Sequence, residues 1–356
     1  MTRKSFAAVA VLCWGCSGDE AVTNQPPTGS LLDGSFDAIA SDAGADGAAD
    51  SGTPAVKAPD AAPFDGPEKL SQTGLYLDIT SKSLGAGVMP YDVRYALWSD
   101  GADKTRYLQL PSGTQIDTQS MDLWVFPIGT KAWKEFRKDG KLIETRYLEK
   151  RATGATGWLE VAYVWNDEAT EAYAAPAGVQ NAKGTNHDVP SQDDCRQCHD
   201  GESDVLIGVG AIQLSKETGG GFLSTLKAGG WLAHPPAAEF PVPGDGVVED
   251  ALGYLHANCG HCHNNTHFLA TKRALRLKLL STDTTPESTP TYVTTINAKM
   301  NHILEGTSLA VVPGDASKSQ LYLRMNKRDV ESMPPLGTEE VDSIAMTTIF
   351  SWIAGL

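Results

Sequence analysis

Two pentapeptides concentrate the reactive side chains of this 356-residue chain: Cys195-Arg196-Gln197-Cys198-His199 and Cys259-Gly260-His261-Cys262-His263. Two thiols on one turn can each form a thioether with one vinyl group of a single porphyrin. The adjoining histidine then points its imidazole at the iron. Cys-x-x-Cys-His is the attachment signature of covalently bound haem, and imidazole is a suitable axial donor to haem iron. The spacing predicts two haem c groups, bound through Cys195, Cys198, Cys259 and Cys262, with His199 and His263 as iron ligands.

Two other chemistries use the same residues. Paired Cys-x-x-Cys units can hold one zinc ion, but Cys198 and Cys259 are farther apart than in compact zinc ribbons. Four cysteines of an exported chain can also form two disulfides. The histidine after each pair favours haem over both. The remaining cysteines, Cys13 and Cys16, lie in the first sixteen residues.

A sixth iron ligand for the second motif is at hand in Met333 of Ser332-Met333-Pro334-Pro335, with Met325 and Met346 as rivals. A thioether ligand favours reduced iron and raises its potential. His256, His261 and His267 are read as exposed or structural. For the first motif the candidates are His187, His234, Met89 and Met121, and an empty sixth position is the further option. An open iron can bind a small ligand, whereas a six-coordinate one normally only transfers electrons.

These residues carry three resemblances. Residues 247–356 resemble small class I cytochromes c, in which a helix leads into the attachment motif, a Met-Pro loop caps the other haem face and a final helix packs across the first. The insertion at 264–325 departs from that pattern; within it Leu275-Arg276-Leu277-Lys278-Leu279 alternates like a strand. Residues 120–205, through Phe126-Pro127-Ile128-Gly129-Thr130 and Lys134-Glu135-Phe136, resemble the β-sheet cytochromes of ammonia-oxidising bacteria, whose haem is crosslinked to a lysine; Lys134 is the nearest analogue by motif. Residues 90–356 as a whole are similar to a family of exported bacterial dihaem c-type cytochromes. The shared features are Trp98-Ser99-Asp100 with Lys104, Tyr163-Val164-Trp165-Asn166, both haem motifs and the Met-Pro-Pro loop.

The elements that must position these groups follow from the pattern of apolar residues. Segments 106–110, 122–126, 132–137, 142–148 and 158–165 are rich in β-formers and separated by turn residues, Asp139-Gly140 among them. They predict an antiparallel sheet or partly closed barrel. Residues 176–247 are rich in Gly and Pro and read as loops. Val248, Ala251, Leu252 and Leu255 recur at helical spacing before Cys259. A last helix is expected from an N-cap at Thr338, with Glu339 and Glu340 in its first turn and Gly355 as its end. The expected fold class is α+β: a β-rich domain over 67–240 with the first motif, then an all-α cytochrome c-like domain over 245–356 with the second.

The N-terminus reads as an export signal over residues 1–16, with Arg3 and Lys4 before the short apolar run 6–12. Gly15-Cys16-Ser17 resembles a lipoprotein site, with Cys16 lipidated. Residues 17–66 read as a disordered acidic linker. A calcium loop there lacks the regular ligand spacing. With +2 in residues 1–16 and -8 in 17–66, the remainder carries -9 of the total -15, which argues against nucleic acid as a partner. The sequence therefore predicts a dihaem c-type cytochrome of the bacterial periplasm or outer membrane, lipid-anchored, passing electrons to a redox partner protein. The alternative is a haem enzyme with an open first haem acting on a small molecule.

Overall fold

The computed structural model describes residues 64–202, 204–216, 219–267, 270–272 and 274–356. The expected signal, the lipidated Cys16 and nearly all of the acidic linker lie outside these residues. A six-stranded antiparallel meander organises the first half: β3 (Met89–Tyr91), β4 (Asp103–Gln109), β5 (Lys131–Lys138), β6 (Lys141–Lys150), β7 (Trp158–Trp165) and β8 (Ala172–Ala174), paired in chain order. A short hairpin, β1 (Tyr76–Asp78) with β2 (Ser83–Leu84), precedes it.

The β5–β6 hairpin turns on Asp139 and Gly140, both at positive φ (52° and 73°), as a two-residue turn whose twist matches its strands requires. A bulge between Phe136 and Arg137 shifts the register by one. One face of the sheet buries Tyr107, Trp133, Tyr147 and Tyr163 against Leu70, Leu75 and Trp165. The other face is apolar at one end, where Leu108, Ala132 and Leu148 join Phe126, Trp158 and Leu206. It is charged in the middle. Segment 122–126, expected as a strand, makes only an isolated bridge between Val125 and Asp117.

The region expected as loops holds three short helices: α1 (Gln192–His199), α2 (Ala211–Leu214) and α3 (Phe222–Ala228). Beyond them come α4 (Val247–Asn258), α5 (Pro290–Thr295), β9 (Lys299–Leu304), β10 (Thr307–Leu309), α6 (Gln320–Met325) and α7 (Ser343–Ala354). Helices α4 and α7 pack through Ala251, Leu255, Ile349, Trp352 and Ile353.

The expected all-α C-terminal domain is not formed, and the expected fold class is thereby corrected. The strands of the described residues fall in three sheets, one of which is the β9–β10 hairpin inside the supposed cytochrome domain. The physical reason lies between the two long helices. Gly306, Pro313-Gly314 and Pro334-Pro335 interrupt the chain, and α5 and α6 are only six residues each. The alternating 275–279 segment is not a strand, although Leu277 and Leu279 are buried. Helix α7 starts later than expected. Asp342 is its N-cap, accepting from Ala345 N at 3.0 Å. Glu339 and Glu340 instead donate their backbone N–H groups to Asp100 Oδ1, 2.8 Å each.

Residues 62–356 form one compact unit. Trp98 N donates to Asn258 Oδ1 (2.6 Å), and Arg94 pairs with Glu249 (2.5 Å), which ties the segment before β4 to α4. No helix among the described residues is long and apolar enough to cross a membrane.

Candidate functional site

The first motif lies on α1, an eight-residue helix capped by Ser191. Its hydroxyl accepts from Asp194 N (3.2 Å), and Asp194 Oδ2 accepts from Ser191 N (3.0 Å). This reciprocal capping satisfies two of the helix's orphan donors. Gln192 Nε2 fastens the helix to β7 through the Glu160 carbonyl, 2.7 Å away. The second motif leaves the C-terminus of α4: Cys259 is the C-cap, and the N–H groups of Cys262 and His263 return to its carbonyl at 3.1 and 2.8 Å.

The two motifs line two adjoining cavities, with Cys198, Cys259 and His261 on the walls of both. The first, about 510 Å³, is walled by Cys195, Cys198 and His199, and by Lys134 and Arg146 of the sheet. The second, about 660 Å³, is walled by Cys259, Cys262 and His263, with Leu275, Leu277, Leu321 and Pro335 around them. Ligand pockets generally run to about 300–1,000 Å³, so each has room for a porphyrin-sized group. Two thiols and an imidazole on one wall are the donor set that covalent haem requires. The residues present fit two such groups.

His199 is held for ligation. Its Nδ1–H donates to the Val205 carbonyl at 2.6 Å, which leaves the lone pair on Nε2. A second ring nitrogen tied to a carbonyl is the usual way a ligating histidine is oriented. Burial, the largest effect, pushes its pKa down to about 3, so the ring is neutral and ready to donate. Val205 is fully buried at φ 50°, a left-handed conformation that costs a β-branched residue on the order of 1–3 kcal/mol. The preceding residue holds it there. Asp204 accepts from Phe126 N (2.6 Å), Trp158 Nε1 (2.8 Å) and the buried Lys150 ammonium (2.5 Å).

The two motifs meet. The ligating atoms of Cys198, His261 and Cys262 lie within 4.8 Å of one another. The loop after the first motif docks on the loop after the second: Asn264 Nδ2 and Thr266 Oγ1 donate to the Gly201 carbonyl at 3.0 and 2.7 Å, and His267 Nε2–H donates to the Gln197 carbonyl at 3.2 Å. Lys278 closes the junction on Glu202 (2.5 Å). None of the four motif cysteines is in a disulfide. Burial pushes Cys195 and Cys259 up to about 12, so both sulfurs stay protonated. A structural zinc centre needs four protein ligands; Cys198, Cys262 and His261 supply three, the number an open zinc site uses, and the other two cysteines stand outside the group.

Met333 lies on the walls of both cavities, as does Met325, while Met346 lines only the first. Met300, on β9, lines the second; sequence reasoning missed it because only the hairpin brings it there. None of the four residues expected opposite His199 lines the first cavity. His187 is buried with Nε2 on Glu144 (2.8 Å). The His234 side chain is 61% exposed beside Asp117. Met89 packs in the apolar end of the sheet, and Met121 borders a separate small cavity. His256 is structural, its Nδ1 accepting from Leu279 N at 3.0 Å. His261, expected to be exposed or structural, is buried at the junction of the two cavities.

The sheet wall of the first cavity is electrically strained. Burial, then the neighbouring Arg106 and Arg146, pulls Lys134 down to about 7; the same causes bring Lys104 to about 7. Burial acts to raise the Glu144 carboxyl, but Arg146 and the His187 hydrogen bond hold it below the usual range. Comparison with family models, with curated proteins and with solved structures found no match to this chain.

Proposed function

We propose that this protein is a dihaem c-type cytochrome of the bacterial cell envelope that relays electrons between its two haems and a redox partner protein. The observation that carries the reading is that His199 and His263, each ending a Cys-x-x-Cys-His sequence, line two different porphyrin-sized cavities, with Cys198 and Cys259 on the walls of both. Covalent haem, when bound, supplies a reversible one-electron iron couple. Cys195 and Cys198 would anchor one group and Cys259 and Cys262 the other, with His199 and His263 as axial donors.

His199 enters this role with its tautomer already set by Val205. Met333 is the proposed second ligand on the His263 side. Cys198 and Cys262 face each other across the shared wall, so attachment there brings the two groups close at one edge. The acidic surface favours a partner with a basic docking face and an encounter weakened by salt. Lipidation at Cys16 would hold the assembly at the periplasmic or outer membrane.

The test is the mass of protein matured in a host with haem-attachment machinery. Two haem masses are expected in the wild type and one in Cys195→Ala/Cys198→Ala. An unmodified wild-type mass would refute the reading. In Met333→Ala both haems remain attached while one midpoint potential falls by on the order of 0.1 V, within the about 0.8 V that axial ligands span. Unchanged potentials would remove Met333 from the ligand set.

A further inference from the structure

We propose that the sheet wall of the first cavity is an anion seat, with Lys134 as its contact residue and Arg106 and Arg146 flanking it. This rests on the dihaem reading for its setting, and it goes beyond electron relay by assigning a binding site.

The argument starts from register. Arg106, Lys134 and Arg146 sit directly opposite one another on β4, β5 and β6. Directly opposed residues on neighbouring strands have Cβ atoms about 4.5–5.5 Å apart, and like charges there repel. Three cations in one row on a partly buried cavity wall are costly unless something negative answers them.

The protein answers two of the three. Arg146 pairs with Glu144 (2.7 Å), and Arg106 reaches the exposed Asp92 at 3.5 Å. Lys134 has no hydrogen-bond or ion-pair partner among the described residues. Lys104, one row along, is used by the Leu97 carbonyl (2.5 Å). Of the four acids on the other walls, three are engaged locally: Asp188 with Asn181 N (2.7 Å), Asp194 with Ser191, and Asp342 with Ala345 N; the fourth, Glu339, is exposed. Glu144, on the same face two residues along β6 from Arg146, attracts the Lys134 amine without contacting it, so a lysine on the cavity wall between two guanidinium groups is left with no anion in direct contact.

The ligand chemistry is therefore a carboxylate or a small inorganic anion. Two sources supply it: a propionate of the first haem, or a diffusible anion such as nitrite or azide entering beside that haem. No described candidate ligand from the sequence stands on this wall to compete, since His187, His234, Met89 and Met121 all lie elsewhere.

The experiment uses the full-length protein whose two haem masses have been confirmed, with Lys134→Gln and the charge-preserving Lys134→Arg. Nitrite and azide are titrated against absorbance and thermal stability, and both midpoint potentials are measured. A diffusible anion gives a saturable spectral change, weakened at least tenfold in Lys134→Gln and restored in Lys134→Arg. A propionate gives no anion response, but one midpoint potential drops in Lys134→Gln and not in Lys134→Arg. Either result supports the seat and names its source. Anion binding and potentials that are all indifferent to Lys134→Gln overturn it. If the mass shows no haem, the dihaem reading fails separately. The seat is then judged by whether nitrite raises the melting temperature of the wild type and not of Lys134→Gln.

Discussion

The same pentapeptide is set in two different walls. The first is backed by a sheet whose face is charged at that point, and its histidine is oriented by a strained, buried turn. The second is backed by leucines and prolines, with Met300 on its wall beside the Met325 and Met333 that it shares with the first, and with Arg276 and Arg324 at its edge. On the proposed reading the attachment chemistry is common to both, while the unshared parts of the two walls differ. The second setting adds Met300 and a cluster of leucines, suited on that reading to a six-coordinate relay. The first offers cations and a fixed imidazole.

The largest effect that separates the two settings is expected at Asp204. Its carboxylate holds buried Lys150, Trp158 and the Phe126 amide, and so pins the turn that orients His199. Removing one partner of a buried ion pair typically costs about 3–5 kcal/mol. Asp204→Ala is expected to lose about that much in chemical denaturation and to alter the spectrum of the first haem, leaving the second unchanged. If both spectra change together, the two settings are not independent and the comparison breaks.

Much of this was legible in the residues themselves. The cysteine and histidine spacing located both cavities' donor walls, and the β-rich alternation located strands β4 to β7. The chain's long-range choices were not legible. The cation row exists because a bulge at Phe136–Arg137 shifts the hairpin by one residue. Without it Lys134 would oppose Thr145 and Arg146 would point to the other face. Nothing local in Glu135-Phe136-Arg137 announces that bulge. The all-α expectation failed for a related reason: the helical periodicity of 248–255 and 344–353 is real, but the residues between them belong to a hairpin and turns. The Ser191-x-x-Asp194 cap is a local signal for α1, but the glycines and prolines around it mask the helix in the sequence pattern.

A middle-sized effect tests how tightly the two settings are joined. A Cβ on Gly201 would stand 1.9 Å from the His261 carbonyl oxygen, and that neighbour is backbone. Gly201→Ala must therefore push the two motif loops apart, at a cost of about 1–3 kcal/mol for overpacking. The expected outcome is a lower melting temperature and weaker coupling between the haems, read as narrower separation of their midpoint potentials. A variant that melts like the wild type would show that the junction is loose.

The smallest effect is a difference in how the two settings respond to acid. Burial, with Asp200 beside it, raises the Glu160 carboxyl, on the sheet side, to about 7. The folded protein then binds this proton more tightly than the unfolded chain, so its contribution falls as pH rises from about 4.5 to about 7. Burial, with Lys278 and His261 beside it, lowers His256, on the second side, to about 3. There the unfolded chain binds the proton more tightly, so stability falls as pH drops from about 6.5 towards 3. Between pH 5 and 6.5 the two slopes oppose each other. Glu160→Gln should unmask a stability that rises with pH across that window, by about 1–2 kcal/mol. His256→Asn, whose amide oxygen can still accept from Leu279 N, should unmask the reverse. Denaturation midpoints at pH 5 and 6.5 for both variants decide it, and parallel slopes in the two would mean that neither buried group titrates as its setting dictates.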